Sequence, residues 1–117
     1  MVNHDKGWGK IAAEASRMND TANEIRIHAR VTGLVQGVGY RYFAFNAARR
    51  LNLTGWVRNC ADGSVEVEAQ GERTAIAQLL SQLKLGPRWS QVSSVEAQSV
   101  SIRHGAGAKE FRVEPGY

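Results

Sequence analysis

At 117 residues, 43% of them apolar, the chain has the length for one small core and no separate second lobe, and its formal charge of +4 comes from 15 basic residues spread along it, which favours an anionic partner without naming one. A single cysteine, Cys60, excludes an internal disulfide, and with His4, His28 and His104 scattered it makes no zinc spacing, so neither a metal nor another cofactor is expected. No segment approaches the roughly 18 consecutive apolar residues of a membrane span and no apolar leader precedes a cleavage site, which gives the expectation of a soluble, cytoplasmic protein.

Residues 1–24, MVNHDKGWGKIAAEASRMNDTANE, are polar and lack strand alternation, although Ile11, Ala12, Ala15 and Met18 have helical spacing. They read as a loose extension, leaving 25–117 as the domain. In EIRIHARVTG the residues Ile25, Ile27, Ala29 and Val31 alternate with Arg26, His28, Arg30 and Thr32, the pattern of a half-buried strand. The period then changes: in YRYFAFNAARRLNL, Phe43, Ala44, Ala47 and Leu51 mark a helical stripe. TGWVRN and SVEVEAQG are short strands joined through Asp62-Gly63, a strong hairpin signal. ERTAIAQLLSQLKLG puts Ile76, Leu79, Leu80 and Leu83 on one helical face and stops at Gly86-Pro87. VSSVEAQSVSIR and EFRV are β-rich, separated by a loop, HGAGAK. The order strand, helix, strand, strand, helix, strand, with a short final strand, predicts an α+β fold: a ferredoxin-like α/β sandwich, βαββαβ, with both helices on one face of a mostly antiparallel sheet.

Between the first strand and first helix lies GLVQGVGYR, residues Gly33 to Arg41. Loop amides and the unsatisfied N–H groups of a helix start can point at one spot and bind an anion there. Gly37 and Gly39 permit positive φ and close approach of a ligand to the backbone. Arg41 adds a planar fork of donors that matches a phosphate better than a carboxylate. A tight turn with no ligand could use the same glycines. Neither the Walker pattern nor the dinucleotide fingerprint fits, since the lysine and the last glycine are missing. In TGWVRN, Val57 and Asn59 share the core side, and an inward asparagine needs a partner. It either caps the Asp62-Gly63 turn or holds a water or ligand oxygen.

Together VQGVGYR and GWVRN, separated by a helix ending AARRLNLT, resemble the acylphosphatase family over about Ile25 to Val113, some three quarters of the chain. The resemblance implies a ferredoxin-like enzyme that hydrolyses carboxyl-phosphate anhydrides without a metal. It implies that Arg41 binds the phosphate, that Asn59 orients the attacking water, and that Gln36, Gly37, Val38, Gly39 and Tyr40 form the phosphate cradle. It further implies a monomer acting on a small-molecule acyl phosphate, with no nucleic-acid or membrane partner. The chain departs from the pattern in its 24-residue extension, in NCADG where NLPDG is common, and in the tail EPGY; the first and third could cover or adjust the site.

The motifs contain no general acid, base or nucleophile, and none is needed: a carboxylate, with a conjugate-acid pKa of about 4, leaves unprotonated. Phosphoryl transfer then depends on placement and electrostatics. Cys60 reads as a small packing residue, and Glu66 and Glu68 as a solvated strand face opposite Arg26, His28 and Arg30. One alternative is a non-catalytic ligand-binding or regulatory domain of the same fold. Another is an RNA-binding module, which shares the element order. Its aromatic motif belongs on the third strand, where this chain has Ser64, Glu66, Glu68 and Gln70.

Overall fold

A computed structural model describes residues 23–105 and 109–116. The helical spacing near residues 11–18 and the centre of the HGAGAK loop lie outside the described residues. The elements are β1 (Glu24–Leu34), α1 (Tyr40–Arg50), β2 (Thr54–Asn59), β3 (Val65–Glu72), α2 (Arg73–Leu85), β4 (Gln91–Val100) and β5 (Phe111–Val113). The sheet order is β4-β1-β3-β2-β5, with β5 parallel to β2 and the other pairings antiparallel. This is the expected ferredoxin-like arrangement.

Strand alternation sets the core. Ile27, Ala29 and Val31 on β1 stand opposite Ala69, Val67 and Val65 on β3, and Val57 on β2 faces Val67. All are fully buried in one cluster with Ala44, Ala47 and Ala48 of α1 and Ile76, Leu79, Leu80 and Leu83 of α2. Burying each leucine or isoleucine there contributes about 1.5–3 kcal/mol. The alanines of α1 let that helix lie close to the sheet. Its buried stripe is Tyr40, Ala44, Ala47 and Ala48, and Phe43 and Leu51, expected on that stripe, are only half-buried. Helix α2 buries the four predicted residues and ends before Gly86, whose φ is 71°.

The opposite face of the sheet corrects the expectation of a solvated strand surface. Arg26 is 2% exposed and Glu68 8%. Arg26 Nε donates to Glu68 Oε2 at 2.7 Å and its Nη1 to Gln70 Oε1 at 3.0 Å. Gln70 in turn donates to Arg103 O at 2.9 Å and accepts from Arg103 N–H at 2.8 Å. The stretch after β4 therefore docks onto this face and seals the ion pair. Further along, Glu66 takes Arg58 Nε at 2.9 Å and lies 3.5 Å from His28 Nε2. Burial raises the Glu66 pKa, but hydrogen bonds from Arg58 and Cys60 and the charges of Arg58 and His28 together outweigh it and hold the carboxyl below its ordinary value. Arg58 also lies 5.0 Å from the centre of the Trp56 ring.

Candidate active site

Chain direction decides which segments meet. β1 and β2 are both antiparallel to β3, so they end at the same end of the sheet, and β5, parallel to β2, ends there too. α2 starts at the other end, where β3 stops, and returns. The loop 35–39, Asn59 with the β2–β3 turn, the end of α2 and the chain after Val113 thus share one end of the molecule.

At the loop, Gly37 and Gly39 have φ of 76° and 81°, and a Cβ on either would meet nothing within 4 Å. They are required by backbone conformation, and the space beside them is open. Gly39 is also the N-cap of α1, with no side-chain cap and no acidic residue in the first turn. The first intrahelical bond runs from Phe43 N–H to Gly39 O at 3.0 Å. Among the described residues, no backbone carbonyl accepts from the N–H groups of Gly37, Val38, Gly39, Tyr40 or Arg41. These donors, at the positive end of a helix dipole, are what an anion site requires.

Two side chains of the loop turn out to anchor it. Gln36 spends both hydrogens of its amide on Cys60 O and Ser64 O, each at 2.8 Å, tying the loop to the turn that follows Asn59. Tyr40 is buried and donates its hydroxyl to Leu83 O at 2.6 Å, fixing the start of α1 against the end of α2. Burial pushes its hydroxyl pKa far above the ordinary value, so it stays a neutral donor. Only the backbone of these two residues is available to a cradle.

Arg41, in the first turn of α1, donates Nη1–H to Glu114 O at 3.1 Å. Among the described residues it has no carboxylate partner. Glu114 is itself held by its N–H to Val57 O at 2.8 Å and by its carboxylate to Arg112 at 2.7 Å. The tail continues to Gly116, where a Cβ would stand 3.3 Å from Asn59 Cβ. One short run of chain therefore touches both Arg41 and Asn59.

Asn59 is half-exposed, and its side chain has no hydrogen-bond partner among the described residues. The turn does not use it as a cap. Asp62 does that instead: its Oδ1 accepts the Ser64 N–H at 3.0 Å and hydroxyl at 2.6 Å, which together hold its pKa below the usual range. Asp62 also pairs with Arg30. Cys60 is half-buried and uncrosslinked. Among the described residues no group of three His, Cys, Asp or Glu side chains could hold a metal ion, and no helix is long and apolar enough to cross a membrane.

The acylphosphatase family profile matches residues 27–113. The chain belongs to the acylphosphatase family. An acylphosphatase of Bifidobacterium longum is 58% identical over 85 residues, 73% of this chain and 88% of that protein. One from Koribacter versatilis is 47% identical over 103 residues, covering 88% of this chain and 90% of its own. The solved structure of an acylphosphatase from Coxiella burnetii aligns with a TM-score of 0.73 at 40% identity, over 79% of this chain and 94% of that one. The protein is accordingly an enzyme, a hydrolase of the acylphosphatase class acting on small acyl phosphates.

Sequence reasoning singled out the tail EPGY as able to cover or adjust the site, but not Glu114 as its point of contact with Arg41, because that contact uses a backbone carbonyl that any residue carries. A signal existed in the order of elements: a final strand parallel to β2 delivers the tail to Asn59.

Proposed function

We propose that the acyl phosphate binds with its phosphoryl group in the cradle formed by the backbone N–H groups of Gln36, Gly37, Val38, Gly39 and Tyr40, with the guanidinium of Arg41 on its oxygens. Asn59 holds the attacking water. Water adds to phosphorus as the bond to the carboxylate oxygen breaks; the carboxylate leaves as an anion, and the water's proton passes to the substrate's own phosphate oxygens. The protein contributes placement and fixed charge, and no metal takes part. The observation that carries this reading is the juxtaposition of Arg41, which has no carboxylate partner among the described residues, with uncapped backbone donors, on a loop tied by Gln36 to the turn beside Asn59.

Steady hydrolysis of benzoyl phosphate in the presence of chelator tests it. In Asn59→Ala, kcat is expected to fall by about 10²-fold, the scale of losing the position of one reactant, while competitive inhibition by inorganic phosphate persists. Loss of phosphate inhibition with turnover retained would reverse the two roles.

We further take residues 25–117 as the catalytic domain, residues 1–24 as an extension to it, and the enzyme as a cytoplasmic monomer. The family match over residues 27–113 supports the domain boundary. Light scattering of the full chain, with and without reductant, checks the monomer.

A further inference from the structure

Four large apolar or aromatic side chains are exposed among the described residues, Leu34, Tyr42, Leu85 and Trp89, and all four lie at the end of the molecule that carries the cradle. Scattered exposed hydrophobics need no explanation, but their concentration around one site does. Leu34 is 55% exposed and immediately precedes the loop; Trp89 is 72% exposed. Leu34 pairs with Gln91 across β1 and β4, so the turn that carries Trp89, two residues earlier, stands beside the start of the loop. The Arg88 guanidinium lies 5.3 Å from the centre of the indole, over one face of the ring.

The direction of the reaction selects this side. Attacking and leaving oxygens lie roughly in line through phosphorus. With water held at Asn59, the acyl group must depart on the side away from Asn59. In the sheet order β4-β1-β3-β2-β5, Asn59 and the tail lie on one side of β1, and β4 with its preceding turn lies on the other. The leaving acyl group is thereby directed toward Leu34 and Trp89.

We propose that Leu34 and Trp89 form the acyl side of this active site and favour substrates whose acyl group is apolar or aromatic. The inference rests on the assignment of the cradle and Asn59 above. An indole and a leucine side chain offer an acyl chain or ring apolar surface, and an aromatic acyl group gains ring contact as well.

The test compares kcat/KM for benzoyl phosphate and acetyl phosphate in the full chain, in Trp89→Ala, in Leu34→Ser and in Trp89→Phe. The benzoyl-to-acetyl ratio is expected to drop roughly twofold to tenfold in Trp89→Ala, the range an aromatic contact supplies, through a higher KM for benzoyl phosphate. It should drop less in Leu34→Ser and recover most of its value in Trp89→Phe. A ratio unchanged in both Trp89→Ala and Leu34→Ser, with both substrates still hydrolysed, overturns the acyl side and leaves the cradle standing. Failure of the unmodified chain to hydrolyse either substrate overturns the cradle and this inference with it.

Discussion

Two arginines on one sheet-and-helix scaffold have opposite surroundings. Arg26, on the helix-free face, is buried at 2% exposure against Glu68 and Gln70, and its donors are taken up inside the fold. Arg41, at the strand ends, has among the described residues the carbonyl of Glu114 and no carboxylate. The first has been neutralised by its neighbours and can only hold the structure together. The second, among the described residues, meets no carboxylate and lies where backbone donors also lack a carbonyl partner. What distinguishes a site from a structural ion pair here is the arrangement left incomplete, since both use the same side chain.

Exchanging the two roles gives the largest expected effects. In the proposed site Arg41→Ala would remove about two charge-assisted hydrogen bonds to the phosphoryl group, each about 1.5–3 kcal/mol. The kcat/KM for benzoyl phosphate should therefore fall by roughly 10²- to 10⁴-fold, while the thermal midpoint changes little. Arg41→Lys keeps the charge without the fork and should recover only part of the rate. A variant as active as the unmodified chain would remove the contrast.

Glu68→Ala should do the reverse. It strands Arg26 as an unpaired buried charge, a loss of about 3–5 kcal/mol in unfolding free energy by urea titration. The specific activity of the fraction still folded should be retained.

Tyr40→Phe sharpens the boundary between the two kinds of residue, since Tyr40 belongs to the proposed cradle by its backbone and to the core by its ring. Losing the bond to Leu83 O should lower stability by about 1 kcal/mol and leave KM near its original value. A large rise in KM would return the hydroxyl to the site.

The smallest effect is acid sensitivity on the helix-free face. The Glu66 carboxyl is held below its ordinary pKa in the folded chain, so its pairing with Arg58 stabilises the protein at neutral pH. That contribution is complete above the unfolded carboxyl's pKa and is lost as pH falls through the lower folded value. Thermal midpoints measured from pH 6 down to pH 3 should decline, and Glu66→Gln should flatten part of the slope.

The strands, both helices and the Asp62-Gly63 turn were legible because each rests on a local pattern: the alternation from Ile25 to Val31, the stripe from Ile76 to Leu83, and a glycine with positive φ at the turn. The burial of Arg26 and Glu68 was not. Alternation separates polar from apolar faces, but whether a polar face meets water depends on what crosses it, here the chain near Arg103. In the candidate site, Gln36 and Tyr40 stood in the motif, yet their side-chain duties depended on contacts 24 and 43 residues away along the chain. Glu114 lends a carbonyl, which leaves no mark in a string of side chains.

The direction of β5 has a practical consequence for handling the enzyme. Glu114 meets Arg41 and Gly116 meets Asn59, so bulk introduced at Pro115 or Gly116 would stand next to both and crowd the proposed substrate entry. An attachment ahead of β1 enters the domain at the far end of the sheet, where it should leave turnover undisturbed.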